Sequence, residues 1–236
     1  MIRAFIFDMD GLLVETESIH MRAFEQWLGS KGIKPPAGYT KRLVGASIAD
    51  NIAMLQRDLG LAGDARSLAR ERNDVYLRML AASEIKPLPG VRELLAFAEE
   101  RGLLKAVCSS SDREQLDIVL PRVLASLGKD ATPQEYFDAV VSGEGMKHLK
   151  PAPDIYLSCA AALDAAPRQC LAFEDSLAGA RSAAAAGMAV IAAPNPFSSG
   201  VTEWPTRYVV KTLEEVLPKG LVEAGPDGEV LIGRRA

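Results

Sequence analysis

The chain has 236 residues, of which 48% are hydrophobic and 25% are charged, and this ordinary globular composition excludes wholesale disorder. A formal net charge of −4 gives the surface no bulk attraction for nucleic acid or anionic lipid. The three cysteines lack CxxC spacing, and the longest apolar stretch, at 183–193, is too short to span a bilayer. We therefore expect a reduced, cytoplasmic protein without a disulfide framework, a zinc site, a nucleic-acid partner or a membrane partner.

The first predicted element is a buried strand at 4–7, where four apolar residues end on Asp8. This early acid argues against a signal peptide. Similar apolar runs predict strands at 103–108, 137–141, 170–173 and 188–192, with a weaker candidate at 207–210. Helical patterns separate the runs, at 91–98, 112–127, 153–163 and 176–186. The alternation predicts an α/β fold with a doubly wound parallel sheet.

Residues 15–84 interrupt this alternation with three predicted helices. The first carries an apolar stripe from Ile19 to Leu28. The second begins at a capping box of Ser47 and Asp50, and Asp64 caps the third. We therefore predict a helical domain at 15–84, inserted into a core formed by 1–14 and 85–218. Glycines and mixed charges predict a weakly structured tail at 219–236.

Acidic, hydroxyl and lysine side chains follow four of the predicted strands. Along the chain they are Asp8 and Asp10, Ser109 to Ser111, Lys150, and Glu174 with Asp175. Ligands of open α/β sheets bind beyond the carboxyl ends of the strands, so we expect these side chains to converge. Clustered carboxylates repel one another and an incoming phosphate, and their oxygen atoms favour Mg²⁺.

In such a cluster, one carboxylate of the Asp8 and Asp10 pair can attack phosphorus while the other transfers a proton. Ser109 can donate hydrogen bonds to phosphoryl oxygens, and Lys150 can offset their charge. Each group alone also has a structural explanation, as a surface turn, a helix cap or a solvated lysine. These explanations would have to hold independently at four strand ends, and that coincidence favours a functional site.

The four segments resemble the four motifs of the haloacid dehalogenase-like hydrolases, and most closely their β-phosphoglucomutase-like branch. The motifs are Phe7–Leu13, Ser109–Ser111, Lys150–Asp154 and Glu174–Ser176. The resemblance covers the chain to about residue 218. It implies a Rossmann-like core, a helical cap inserted after the first strand, and phosphoryl transfer through an aspartyl-phosphate.

The resemblance also implies a role for each motif residue. Asp8 is the expected nucleophile and Asp10 the expected general acid and base. Ser109, Ser110 and Lys150 are expected to bind the phosphoryl group.

The expected cofactor is Mg²⁺, and the resemblance places it at the acidic ends of the first and fourth strands. Its implied ligands are the Asp8 carboxylate, the Asp10 carbonyl and Asp175, with Glu174 adjoining them.

The inserted helices contain candidate substrate residues, namely Thr16, His20, Gly45 and Arg72. Thr16 and His20 lie four residues apart and share one helical face, which lines the cleft between cap and core in the resembling mutases. The alternatives are that Thr16 starts the helix, that His20 is a partly exposed histidine, and that Arg72 lies on a solvated helix face. Gly45 belongs to a segment that matches the substrate loop of the branch, but Ile48 stands where the mutase has a phosphate-binding arginine.

These observations predict a monomeric, Mg²⁺-dependent phosphatase. Its expected substrate is a small phosphorylated metabolite, either a sugar phosphate or a similar monophosphate. The alternative is a phosphosugar mutase of the β-phosphoglucomutase type, which uses the same phosphoenzyme. A signalling receiver domain combines similar residue types, but the spacing of Asp8 and Asp10 and the helical insert count against it. A dehalogenase is disfavoured because Asp10 supplies a proton-transfer group that phosphoryl chemistry needs.

Overall fold

A computed structural model describes residues 1–43, 47–196, 201, 203–225 and 228–233. The chain forms two compact units. The sheet unit comprises Met1–Glu15 and Ile85–Ala236, and the helical unit comprises Thr16–Glu84. The predicted insert at 15–84 therefore begins one residue earlier than the helical unit. No helix in the described ranges is long and apolar enough to cross a membrane.

Five parallel strands form the sheet, in the spatial order β3-β2-β1-β4-β5. They are β1 (Ala4–Phe7), β2 (Leu104–Ser109), β3 (Ala139–Ser142), β4 (Cys170–Glu174) and β5 (Ala189–Ala192). The chain starts in the middle of the sheet, adds two strands on one side and then two on the other. This order confirms the predicted doubly wound α/β fold and puts its switch point between β1 and β4, where ligands of such sheets bind.

Helices cover the sheet between its strands. They are α4 (Val91–Glu100), α5 (Arg113–Leu127), α6 (Pro133–Tyr136), α7 (Asp154–Ala162) and α8 (Leu177–Ala185). Alternate residues of β1 face opposite sides of the sheet, so Ile6 packs with residues of α7 and α8 while Phe5 stacks on Phe97 of α4. Both faces are therefore buried, which explains why every residue of β1 is apolar.

The helical unit contains α1 (Glu17–Ser30), α2 (Ile48–Leu59) and α3 (Ala65–Ala82). Both predicted N-cap bonds are present, because Ser47 Oγ accepts from the Asp50 amide and an Asp64 carboxylate oxygen accepts from the Ser67 amide. The Asp50 carboxylate accepts from the hydroxyl group of Ser47, which differs from the backbone bond of a full capping box. A short 3₁₀ helix, Tyr39–Leu43, precedes α2.

Two predictions about the C-terminal part of the chain are wrong. The segment 207–210 forms only an isolated bridge, between Val209 and Ala192, because its backbone bonds to a single residue of β5. The predicted weakly structured tail contains an antiparallel hairpin of β6 (Val222–Ala224) and β7 (Val230–Ile232). The hairpin is anchored because Val230 is buried and pairs with Ile2. The charges of the tail obscured this short apolar pairing.

Candidate active site

The carboxyl ends of neighbouring strands bring the predicted acidic and hydroxyl residues together. Asp8 follows β1, and its amide donates a hydrogen bond to the Phe173 carbonyl of the adjacent strand β4. Ser109 is the last residue of β2 and Glu174 is the last residue of β4. All three are buried, so the parallel sheet itself fixes their spacing.

A tight turn after β1 allows the acidic groups to approach one another. Gly11, at the turn, has a φ of +84°, which favours glycine. A Cβ atom at this position would lie 2.2 Å from Asp175 Oδ2 and 2.5 Å from Asn195 Nδ2. A side chain at position 11 would therefore displace the acid that follows β4.

Lys150 joins the ends of three strands. Its ammonium nitrogen lies 2.5 Å from Asp8 Oδ1, 2.6 Å from Glu174 Oε1 and 3.0 Å from the carbonyl oxygen of Cys108. The lysine side chain is only 6% exposed. One buried ammonium therefore serves two buried carboxylates, so ionisation of both acids would leave the cluster with excess negative charge.

Glu174 is held by donors on both of its oxygen atoms. Tyr156 Oη donates to Oε1 at 2.6 Å, and Ser176 Oγ donates to Oε2 at 3.2 Å. The backbone of Gly179 packs closely, since a Cβ there would lie 2.0 Å from Oε1. Glu174 is therefore fixed in place and in turn fixes Lys150.

The pKa values of this cluster follow from burial and charge. Burial raises the pKa of Asp8 to about 8, with Glu174 and Asp10 adding to the rise and Lys150 opposing it. Burial disfavours the charged form of Lys150, but Asp8 and Glu174 hold the pKa of this lysine well above its usual range. The lysine is therefore a permanent cation, and a second cation would favour the ionised form of Asp8.

The acidic residues can hold a metal ion. Asp8, Glu174 and Asp175 each present a carboxylate oxygen within 4.8 Å of the others. Hard oxygen donors at a buried, negatively charged edge fit Mg²⁺. Asn195 Nδ2 lies 2.5 Å from Asp175 Oδ2 and orients this acid.

The carboxylate of Asp10 faces the loop after β2. Ser111 Oγ donates to Asp10 Oδ2 at 2.7 Å, and Ser109 Oγ donates to the same oxygen at 3.3 Å. Gln115 Nε2 donates to Asp10 Oδ1 at 2.7 Å. Within the described residues, the acidic group that could hold a metal ion consists of Asp8, Glu174 and Asp175 and does not include the Asp10 carboxylate. The candidate metal ligand of Asp10 is therefore its backbone carbonyl, as predicted.

The loop after β2 is held by hydrogen bonds that fix its two ends. The Ser111 amide donates to Ser109 Oγ at 3.1 Å, and Ser142 Oγ donates to the Ser111 carbonyl at 2.7 Å. Ser109 is buried and Ser110 is exposed. Asp112 is the N-cap residue of α5 but makes no side-chain capping hydrogen bond.

Three residues that contact the site were not predicted from the sequence. Tyr156 lies in an apolar helix, and Gln115 lies in the first turn of α5, so neither is part of a recognisable motif. Asn195 follows β5, so its position after a predicted strand is the sequence signal that points to it.

The predicted substrate residues of the helical unit have different environments. Thr16 is the N-cap residue of α1 and is fully buried, and His20 is half-buried one turn later. Arg72 in α3 is fully buried, so the alternative of a solvated helix face is wrong. Gly45 lies outside the described residues.

Arg72 and His20 contact each other although 52 residues separate them in the sequence. Arg72 Nη2 lies 2.6 Å from His20 Nδ1 and 3.2 Å from the His20 carbonyl oxygen. The guanidinium carbon lies 4.0 Å from the ring centroid of Phe24, and the imidazole stacks on Tyr76 at 3.6 Å between centroids. Burial and the charge of Arg72 place the pKa of His20 well below 6.5. The imidazole is therefore neutral, with Nδ1 as acceptor and the proton on Nε2.

The sheet unit thus combines the parts needed for covalent phosphoryl chemistry. A buried carboxylate, Asp8, lies beside a permanent cation, and a second carboxylate, Asp10, lies beside two hydroxyl groups. Such a pair can divide nucleophilic attack and proton transfer between its members.

Comparison with known proteins agrees with this geometry. The family described as haloacid dehalogenase-like hydrolase matches residues 2–187. Fructose-1-phosphate phosphatase YqaB of Escherichia coli K12 is 37% identical over 187 residues, which cover 78% of this chain and 92% of that protein. The protein CbbY of Rhodobacter capsulatus is 33% identical over 205 residues, which cover 84% of this chain and 88% of that protein.

A solved structure of CbbY also has the same fold. The crystal structure of a CbbY variant from Rhodobacter sphaeroides in complex with xylulose 1,5-bisphosphate superposes with a TM-score of 0.78 at 27% identity. The match covers 92% of this chain and 96% of that chain.

Proposed function

The chain belongs to the haloacid dehalogenase-like hydrolases, and on this premise we propose that it is a phosphatase that hydrolyses a small sugar phosphate through a phosphorylated Asp8. The observation that carries the proposal is the buried cluster of Asp8, Lys150 and Glu174 at the carboxyl edge of the sheet. The relatives favour a sugar phosphate, since YqaB is a fructose-1-phosphate phosphatase and a variant of CbbY binds xylulose 1,5-bisphosphate.

In the first half of the proposed reaction, Asp8 attacks the phosphorus atom of the substrate. Asp10 gives a proton to the leaving oxygen, while Ser109, Ser110 and Lys150 bind the phosphoryl oxygens. In the second half, Asp10 takes a proton from a water molecule, which hydrolyses the aspartyl-phosphate. Asp8 then returns as a free carboxylate.

The proposed cofactor is Mg²⁺, held by Asp8, Asp175 and the Asp10 carbonyl, with Glu174 adjoining. When bound, the ion neutralises the charge of the nucleophile and of the phosphoryl group. Support comes from the three converging carboxylate oxygens and from the excess of buried acids over the single Lys150.

For substrate recognition we propose His20 as a donor through its Nε2–H group. Arg72 supports this role by occupying Nδ1, since the other nitrogen must then carry the proton. The full burial of Arg72 favours an indirect role for this arginine. Roles for Thr16 and Gly45 in substrate binding stay predictions.

The direct test is a panel of sugar phosphates assayed for Mg²⁺-dependent release of inorganic phosphate. The panel includes fructose 1-phosphate, xylulose 1,5-bisphosphate and, as a non-sugar control, glycerol 2-phosphate. We expect the sugar phosphates to be hydrolysed fastest. Absence of phosphate release from every member would refute the proposal.

A second assay separates the phosphatase from the mutase alternative. Ile48, the first residue of α2, offers no charge for a second phosphate, and the loss of such a contact weakens binding by about 1.5–3 kcal/mol. Arg42 could supply a charge, but it pairs with Asp58 at 3.2 Å. Incubation with β-glucose 1-phosphate and a trace of the 1,6-bisphosphate should release phosphate faster than it forms glucose 6-phosphate. The opposite order would establish a mutase.

A further inference from the structure

Gln115 is a buried polar residue next to the proposed acid and base. It is the third residue of α5, the residue is 6% exposed, and its Nε2 lies 2.7 Å from Asp10 Oδ1. A buried carboxamide needs a partner, and this one finds it on the side chain of Asp10.

The two oxygens of the Asp10 carboxylate have partners of different chemical kinds. Oδ1 accepts from the amide of Gln115, whereas Oδ2 accepts from the hydroxyl groups of Ser111 and Ser109. An amide N–H group can only donate, but a hydroxyl group can donate or accept. A proton on Oδ1 would face another proton, while a proton on Oδ2 would find an acceptor in a hydroxyl group that rotates.

We propose that Gln115 is a positioning residue that makes Oδ2 the oxygen through which Asp10 gives and takes its proton. The proposal rests on the proposed phosphatase function. Oδ1 is an acceptor both when Asp10 is ionised and when Oδ2 is protonated, so the bond from Gln115 persists through the cycle.

The proton follows a balanced path in both half-reactions. As Asp8 forms its bond to phosphorus, the bond from phosphorus to the leaving oxygen breaks and the proton on Oδ2 moves to that oxygen. In the second half, water transfers a proton to Oδ2, its oxygen bonds to phosphorus, and the bond from phosphorus to Asp8 breaks. Each cycle thus begins and ends with the proton on Oδ2.

Ser109 explains why Asp10 needs the additional anchor. Its single O–H group donates to Asp10 in this structure, and it is also a proposed donor to the phosphoryl group. One hydroxyl proton cannot serve both acceptors, so Ser109 releases Asp10 when it binds a phosphoryl oxygen. Gln115 then keeps the carboxyl group of Asp10 in the same orientation.

The test compares leaving groups that differ in their need for a proton. Gln115→Leu removes the donor at similar size, and Gln115→Glu replaces the amide with a carboxylate as a second variant. Glu114→Leu is the matched control, because residue 114 is exposed on the same turn of α5. The substrates are p-nitrophenyl phosphate, whose phenolate leaves readily, and the sugar phosphate that the wild type hydrolyses fastest in the panel.

We expect Gln115→Leu and Gln115→Glu to lower kcat/KM for the sugar phosphate by about 10- to 100-fold, because the leaving alkoxide needs a positioned acid. For p-nitrophenyl phosphate the loss should be less than about 3-fold. For a phosphoenzyme reaction, kcat/KM reports only the steps up to leaving-group departure, so the comparison isolates the role of Asp10 as acid.

Equal losses on both substrates would reveal a merely structural role, and an unchanged kcat/KM for the sugar phosphate would show that Gln115 is dispensable. Either result overturns the proposal. Asp10→Asn, assayed in parallel, separates this failure from that of the proposed function. If Asp10→Asn abolishes sugar phosphate hydrolysis and Gln115→Leu does not affect it, only the role of Gln115 is refuted.

Discussion

The sheet unit buries Asp8, Lys150 and Glu174 in one hydrogen-bonded cluster, whereas the helical unit buries Arg72 between aromatic rings. In the sheet unit two carboxylates share one ammonium, so ionisation of both acids would leave an excess of negative charge. In the helical unit the guanidinium charge lies on ring faces and beside a neutral imidazole, His20.

The two buried charge arrangements have different chemical consequences. An acid-rich cluster is completed by a cation, and burial strengthens that requirement because water cannot screen the carboxylates. A buried guanidinium instead suppresses the charge on its histidine neighbour and fixes its tautomer. We therefore expect changes in the sheet unit to affect catalysis and metal binding, and changes at Arg72 to affect the protonation of His20.

The largest effect is expected for Asp8→Asn. The amide keeps the shape of the side chain but loses the nucleophilic charge and a metal ligand, so kcat should fall by at least about 10⁴-fold. Steady-state phosphate release measures the loss, and circular dichroism checks that the fold persists. Substantial residual activity would remove Asp8 from the role of nucleophile.

Removal of the metal is the next test of the acid-rich cluster. EDTA should abolish phosphate release, and Mg²⁺ should restore it. In calorimetric titrations, Asp175→Ala should weaken Mg²⁺ binding more than Asn195→Ala, for which we expect about a 10-fold loss because Asn195 only orients the acid. Full activity in chelator, or unchanged Mg²⁺ affinity in Asp175→Ala, would contradict a metal site here.

A smaller effect is expected for Tyr156, which supports the acidic cluster through a hydrogen bond to Glu174. Tyr156→Phe removes the donor that lies 2.6 Å from Glu174 Oε1, and the loss of a buried bond to a carboxylate should lower the free energy of unfolding by about 1–3 kcal/mol. Tyr208→Phe is the matched control, since its hydroxyl contacts Arg207 at an exposed position. Equal unfolding free energies for the two variants, measured in urea, would mean that Tyr156 does not support Glu174.

The smallest and most local effect concerns His20 in the helical unit. Arg72→Met removes the positive charge beside the imidazole, so the pKa of His20 should rise from its depressed value. Two-dimensional NMR titration of the histidine ring protons measures this change, with exposed His148 as the internal reference. An unchanged titration of His20 would show that burial alone, without Arg72, keeps the imidazole neutral.

The lowered pKa of His20 also makes the folding stability depend on pH. The folded state holds the pKa of His20 below the value of 6.5 that applies in the unfolded chain, so the unfolded chain binds more protons as the pH falls below 6.5. This group therefore lowers folding stability with decreasing pH in that range, and Arg72→Met should reduce its contribution. Urea unfolding between pH 7 and pH 5 measures the difference in slope.

The sequence allowed a good prediction of the sheet unit because parallel strands impose their own geometry. Once β1 and β4 were identified by their apolar runs, the residues that follow them had to meet at one edge. The family resemblance carried by these residues is confirmed by the match over residues 2–187. Contacts that begin inside helices, such as Gln115 to Asp10, depend on helix rotation and could not be inferred from spacing.

The helical unit was less predictable beyond its helices. Capping residues such as Ser47 and Asp64 act within three residues, so their roles were clear from the sequence. The bond from Arg72 to His20 spans 52 residues and depends on how α1 and α3 pack. A run of charged residues around position 72 indicated a solvated face, whereas aromatic rings of both helices bury that arginine.

Transfer of the phosphoryl group to the Asp8 carboxylate is the central step of the proposed reaction, and acid quenching during turnover tests it directly. Borohydride reduction of the quenched enzyme converts an aspartyl-phosphate to homoserine, and tryptic digestion isolates residues 4–22, which contain both Asp8 and Asp10. The account predicts homoserine at position 8 only, and none in Asp8→Asn. Homoserine at position 10, or phosphate release without any modified peptide, would contradict it.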